Sequence, residues 1–132
     1  MNIERRVAQL IEPCLEALNA GDLDAFAAFW TRDAILYSAL GPELEGSDAI
    51  RAWAAAIGTK NAVLQPTRCE TFVDVIFVVG NFAYELPRRG LSIRGGFTAL
   101  LREVGGRTPK MHRLVAFPER VPVTPLPESD IW

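Results

Sequence analysis

The sequence predicts an α+β domain in which three N-terminal helices pack on a strongly bent, mostly antiparallel sheet that encloses a pocket. Three observations carry this. Apolar residues recur at spacings of three and four up to residue 57, runs rich in β-branched and aromatic residues follow from residue 60, and Gly, Pro or Asn bounds each run.

The first helix spans residues 3 to 19, with Ile3, Val7, Leu10, Ile11, Cys14, Leu15 and Leu18 on one face and Arg5, Arg6, Gln9, Glu12 and Glu16 opposite. Pro13 is expected to kink it, and Asn19-Ala20-Gly21 to end it. Asp22 then caps a short helix reaching Trp30, with Leu23, Phe26, Ala27 and Trp30 as its apolar stripe. Thr31-Arg32-Asp33 reads as a turn into a strand from Ala34 to Ala39, closed by Gly41-Pro42. Ser47 is the expected N-cap of a third helix that buries Ile50, Trp53, Ala54 and Ile57 and stops at Gly58.

The β half divides into Val63 to Val79, Phe82 to Leu86, Ser92 to Val104 and Lys110 to Phe117. Gly80-Asn81 and Gly105-Gly106 are the expected turns, and Gly95-Gly96 an expected bulge where the sheet bends. Pro118, Pro122, Pro125 and Pro127 rule out regular structure after Phe117, so the domain is expected over 1–117. A tail over 118–132 is expected to lie on the surface or on a partner subunit.

A chain of 132 residues with 49% hydrophobic and 23% charged residues builds one core without staples. Fourteen Lys and Arg interspersed with sixteen acids give a net charge of −2, so there is no basic field for nucleic acid. One histidine and two cysteines, Cys14 and Cys69, are too few for a disulfide framework or a classical zinc site; neither metal nor cofactor is expected. The acid-containing start does not read as a signal peptide, and no apolar run approaches the roughly 20 residues of a membrane helix. A cytoplasmic protein without a membrane partner is the expectation.

Leu18-Asn19-Ala20-Gly21-Asp22-Leu23-Asp24-Ala25, Phe29-Trp30-Thr31-Arg32-Asp33-Ala34 and Glu45-Gly46-Ser47-Asp48-Ala49-Ile50 together resemble the nuclear transport factor 2-like superfamily. Phe97 to Arg102 and Met111 to Val115 extend the resemblance to residue 117. It implies a cone-shaped fold of the SnoaL-like or ketosteroid isomerase-like kind. The residues quoted build the fold; the superfamily's activities include isomerases, cyclases, dehydratases and binding or assembly domains, so the site has to decide. Ketosteroid isomerases use a tyrosine on the first helix, an aspartate base on the first strand and a protonated aspartate on a late strand. The resemblance puts Cys14, Ser38 and Thr98 at those positions. None of the three supplies a base or an acidic donor, so steroid isomerase chemistry is not expected.

In the last strand, alternation with the resemblance puts Met111, Arg113, Val115 and Phe117 inward, and Lys110, His112, Leu114 and Ala116 outward on a dimerisation face. An inward Arg113 needs an anion, either internal (Asp33, Asp74 or Glu85) or a ligand carboxylate or enolate. A catalytic histidine would need His112 in the cavity beside a carboxylate. Tyr84, Ser38 and Thr98 are candidate hydrogen-bonding partners, with Arg94 and Arg102 if their faces turn inward. Cys14, Trp30, Trp53, Met111, Phe72 and Phe97 are candidate walls. The sequence thus suggests a small-molecule-binding domain for an apolar ligand with an anionic or carbonyl group, with isomerase, cyclase or dehydratase chemistry as its enzymatic form. The alternative is a non-catalytic dimerisation or protein-interaction module.

Overall fold

The computed structural model describes residues 2–119. Helix α1, Ile3–Ala20, begins where the Asn2 side chain accepts the Arg5 N–H at 2.8 Å. It runs on through Pro13, which lies on the exposed face, where water can take the carbonyl that the absent N–H would have met. Gly21, at φ 79°, closes it, and Asp22 caps α2, Leu23–Ala28, by accepting the Ala25 N–H at 3.2 Å. The Asn19 side chain clasps both backbone groups of Ala62, at 3.1 and 2.7 Å, fixing the end of α1 to the sheet.

Strand β1, Trp30–Tyr37, starts before the expected boundary: Thr31, Arg32 and Asp33 are strand residues in an irregular stretch, not a turn. Strand β2, Glu43–Glu45, is a three-residue edge strand that the sequence did not disclose, its two glutamates exposed as expected of solvated charges. Helix α3, Ser47–Ile57, is capped by Gly46 at φ 92° and not by Ser47, the Gly46 N–H donating to the Ala34 carbonyl at 2.7 Å. It buries Ile50 and Ala54 and stops at Gly58, φ 64°.

Strands β3, Lys60–Thr71, and β4, Val75–Leu86, form one long hairpin; a 3-10 turn, Pro87–Arg89, leads to β5, Leu91–Arg102, and then to β6, Lys110–Pro118. The sheet is six-stranded and open, in the order β2-β1-β6-β5-β4-β3, antiparallel throughout except where β1 runs parallel to β6. Gly105 and Gly106, at φ 62° and 71°, turn the chain between β5 and β6.

Gly80-Asn81 and Gly95-Gly96 have other roles than those expected. Gly80-Asn81 lies in the middle of β4, and the chain turns instead at Phe72-Val73-Asp74. No shift of register occurs at Gly95-Gly96; the β5–β6 ladder slips between Leu100 and Leu101, which face Arg113 and Met111, so His112 is the extra residue of a bulge in β6. That bulge sets which side chains of β6 reach the core. Helix α1 packs on β3 and α3 on β1, over the buried side chains Ile50, Leu86, Phe97, Leu101 and Met111. Beyond Pro118, Glu119 pairs with Arg94 at 3.0 Å, while the rest of the expected tail lies outside the described residues.

Candidate functional site

Between the helices and the inner face of the sheet lies a cavity of about 80 Å³, whose wall is formed by α1, α2, α3, β1, β3, β4 and β6. Alternation explains the sheet's share: Leu36 and Ser38 follow one another two residues apart at the end of β1, and Phe82 and Tyr84 do so on β4. The rings of Phe82 and Tyr84 stack with centroids 5.7 Å apart, and Phe26 meets Trp30 edge-on at 5.9 Å. The cavity is only partly enclosed.

The wall is apolar apart from five groups: the Cys14 thiol, the indole N–H groups of Trp30 and Trp53, and the hydroxyls of Ser38 and Tyr84. Those of Trp30, Ser38 and Tyr84 are buried at the atom level and have no hydrogen-bond partner among the described residues, and Trp30 as a whole is only 6% exposed. Burial, the larger effect, pushes the Cys14 thiol up to about 12 against an opposing pull from the neighbouring Trp30 N–H, which does not reach hydrogen-bond geometry to the sulfur. Burial also raises the Tyr84 phenol. Cys14 is therefore a thiol and Tyr84 a neutral phenol near neutral pH. The loop after β1 presses close as well, since a Cβ on Gly41 would come within 2.7 Å of the Ser38 oxygen.

Of the residues singled out from sequence, the fold brings six to this cavity: Cys14, Trp30, Ser38, Trp53, Tyr84 and Met111. Thr98 and Arg113 face away from it. Thr98 sits on the outer face of β5, out of step with buried Phe97 and Ala99. Arg113 is displaced by the bulge at His112. Its guanidinium donates to the backbone carbonyls of Asp33 at 3.2 Å and His112 at 2.8 Å, and it makes neither the expected ion pair nor any contact with the cavity.

The same bulge carries Leu114 and Ala116 inward, against the expected alternation. Phe72, expected in the wall, is 62% exposed at the β3–β4 turn; Phe97 is core below the cavity, and Arg94 and Arg102 are exposed. No sequence signal distinguished Leu114 and Ala116, because a single bulged residue inverts every later position. Leu36 was readable, sharing parity with Ser38.

His112 does meet a carboxylate, though away from the cavity. Its Nδ1 lies 2.8 Å from the Thr31 hydroxyl and 3.6 Å from Asp33 Oδ1, at the seam where β1 runs beside β6. Desolvation, followed by the Arg113 charge, holds its pKa below the ordinary histidine value, against the opposing pull of Asp33. Asp33 is itself lowered, first by a backbone hydrogen bond and further by Thr31, His112 and Arg113, against a weaker desolvation effect. A neutral His112 bonded to Thr31 serves to close the bulge. Among the described residues no three His, Cys, Asp or Glu side chains gather as a metal site would need, and no helix is long and apolar enough to cross a membrane.

The model of the SnoaL-like domain family matches residues 11–108 of the chain. Among solved structures, a Mycobacterium tuberculosis protein of unknown function is 17% identical, with a TM-score of 0.75 over 89% of this chain and 72% of the other. A ketosteroid isomerase-like protein from Erwinia carotovora is 19% identical, with a TM-score of 0.68 over 95% and 100% of the two chains. An NTF2-like protein with a cystatin-like fold from Novosphingobium aromaticivorans is 16% identical, with a TM-score of 0.72 over 89% and 82%. At these identities the likeness is one of fold. No curated protein matches the chain significantly.

Proposed function

Because the chain belongs to the SnoaL-like domain family, we propose that it binds a small molecule in the cavity behind β1, β4 and β6, and that it holds this molecule without exchanging protons with it. One observation carries the reading: three polar side-chain atoms, on Trp30, Ser38 and Tyr84, are buried against a mostly apolar cavity and have no partner among the described residues. Leaving a buried donor unpaired costs about 1–3 kcal/mol, and native structures seldom do so without a reason. A ligand that satisfies these atoms recovers that cost.

Isomerase, cyclase and dehydratase chemistry each move a proton, and general acid–base catalysis at neutral pH is most efficient with a group whose pKa lies near 7. Among the described residues the ionisable groups in the wall are Cys14 and Tyr84, both shifted upward, and His112 and Arg113 are not in it. This favours binding over turnover. Both cysteines are free, in keeping with the reducing cytoplasm proposed for it.

A thermal-shift screen against steroids, polyketide-like aromatics, epoxides and small carboxylates tests the reading. A ligand present at a hundred times its Kd adds about 2.7 kcal/mol to stability, a rise of several degrees in Tm. A saturable rise with at least one compound is expected; none across the panel would end the preference for a ligand pocket.

A second reading concerns the face of the sheet that the helices leave uncovered. Phe77, Val79, Leu100, Val115 and Phe117 lie there, none of them fully buried, and a second copy of the chain is the proposed cover. Leu114, expected on this face, is instead a cavity residue and plays no part in it. Sedimentation velocity is expected to show a dimer for the native chain and a monomer for Val115→Glu. A native monomer, or a variant that stays dimeric, removes this interface.

A further inference from the structure

We infer that the end of the ligand enclosed by this cavity is an uncharged group no larger than a single ring, bearing a hydrogen-bond acceptor such as a ketone or ester carbonyl that accepts from the Trp30 indole N–H. This rests on the small-molecule reading above and narrows it, against the anionic group that an inward Arg113 would have implied.

Charge is settled by the wall. Among the described residues no Lys, Arg, His, Asp or Glu lines the cavity, so a ligand carboxylate or ammonium would lose its water with no counter-ion from them. Polarity is settled by the kinds of orphan atom. An indole N–H only donates, so the ligand must present an acceptor at Trp30. Ser38 and Tyr84 each donate or accept, so they tolerate a carbonyl, ether or hydroxyl at the ligand's other polar positions.

Size follows from volume. An apolar cavity of roughly 150 Å³ admits benzene, and the space here is about 80 Å³ and only partly enclosed. One ring, partly emerging, fills it; a fused multi-ring system would have to drive the wall apart.

Three probes of nine non-hydrogen atoms and similar outline separate these claims: acetophenone, isopropylbenzene and benzoate, each titrated into the full chain and followed in ¹⁵N–¹H spectra. The Trp30 indole N–H peak, identified by its loss in Trp30→Phe, is expected to move downfield with acetophenone and not with isopropylbenzene. Acetophenone is expected to bind roughly three- to tenfold tighter than isopropylbenzene, the worth of one hydrogen bond. Trp30→Phe should erase that margin and keep isopropylbenzene binding, and Tyr84→Phe should leave the indole shift in place. Should Trp30→Phe fail to fold, the Trp30 peak is assigned by elimination, from the peaks lost in Trp53→Phe and Trp132→Phe, and its shift in the native chain carries the test. Benzoate is expected to give no saturable shift.

Benzoate binding as tight as acetophenone overturns the inference and leaves the pocket standing. Equal binding of acetophenone and isopropylbenzene with an unmoved indole peak does the same. If none of the three perturbs any cavity resonance, both this inference and the small-molecule reading fall.

Discussion

Gly80→Ala is expected to destabilise the fold by about 3 kcal/mol or more, lowering Tm by roughly 10 °C, while Gly96→Ala on the adjacent strand stays within about 0.5 kcal/mol of the native chain. The two glycines sit opposite each other's neighbours in the β4–β5 ladder, and neither has a positive φ, so backbone strain does not separate them. Space does. A Cβ at Gly80 would collide with the Gln65 carbonyl oxygen, lie 2.9 Å from its carbon and lie 2.8 Å from the Phe97 ring. Backbone cannot rotate aside as a side chain can, and Phe97 is itself buried to 1% exposure. A Cβ at Gly96 would find its nearest neighbour, the Gly80 carbonyl oxygen, at an ordinary 3.6 Å. Urea denaturation of both variants measures the difference. Equal stabilities would mean that β3 does not cross β4 in the register that brings Pro66 opposite Gly80.

That contrast also explains where the sequence misled. Gly next to Asn is the ordinary signature of a tight turn, and Gly80-Asn81 carries it. What places Gly80 in mid-strand is the approach of the β3 backbone, a long-range fact with no local trace. The same holds at Gly95, where a Cβ would lie 2.9 Å from the Phe117 carbonyl carbon. A pair of glycines thus reads alike whether it frees a turn, forms a bulge or clears a path for another strand. By contrast, Gly21, Asp22 and Gly58 act locally as helix ends, and the structure has them in those roles.

The cavity was legible as far as parity held. Helix α1 has a strong 3.6 period, so Cys14 reached the wall with Ile11 and Leu18, and β4 alternates without interruption, so Tyr84 reached it too. Parity failed at β6. One bulged residue, His112, moved Arg113 out and Leu114 in, and with that exchange the expected charge of the site vanished. The physical cause lies in two partners that a single-strand reading does not see: the Thr31 hydroxyl, which holds His112 Nδ1, and the Asp33 carbonyl, which holds the Arg113 guanidinium. Both come from the irregular start of β1, the stretch that reads in sequence as a turn. An error in assigning Thr31 to Asp33 and an error in orienting Arg113 are therefore one error.

Filling the cavity should separate its cost from its use. At roughly 24 cal/mol per Å³, an empty apolar space of about 80 Å³ forfeits about 2 kcal/mol of stability. Ala116 lies on the inward side of β6 beyond the bulge, is partly exposed, and borders the space. Ala116→Leu adds three carbons there without disturbing the ladder, so the variant is expected to gain about 0.5–2 kcal/mol of stability in urea denaturation. The same variant is expected to lose at least about a hundredfold in affinity for whichever compound raises the native Tm, since the added side chain and the ligand cannot share the volume. A protein that kept this hollow for no purpose would gain stability and lose nothing. If Ala116→Leu instead destabilises while ligand binding persists, the side chain does not enter the cavity, and the inward set of β6 has to be redrawn from the bulge onward. If it stabilises and binding is unchanged, the ligand lies elsewhere on the molecule. Gain in stability together with loss of binding is the outcome the geometry of His112, Leu114 and Ala116 requires, because all three follow from the same displaced residue.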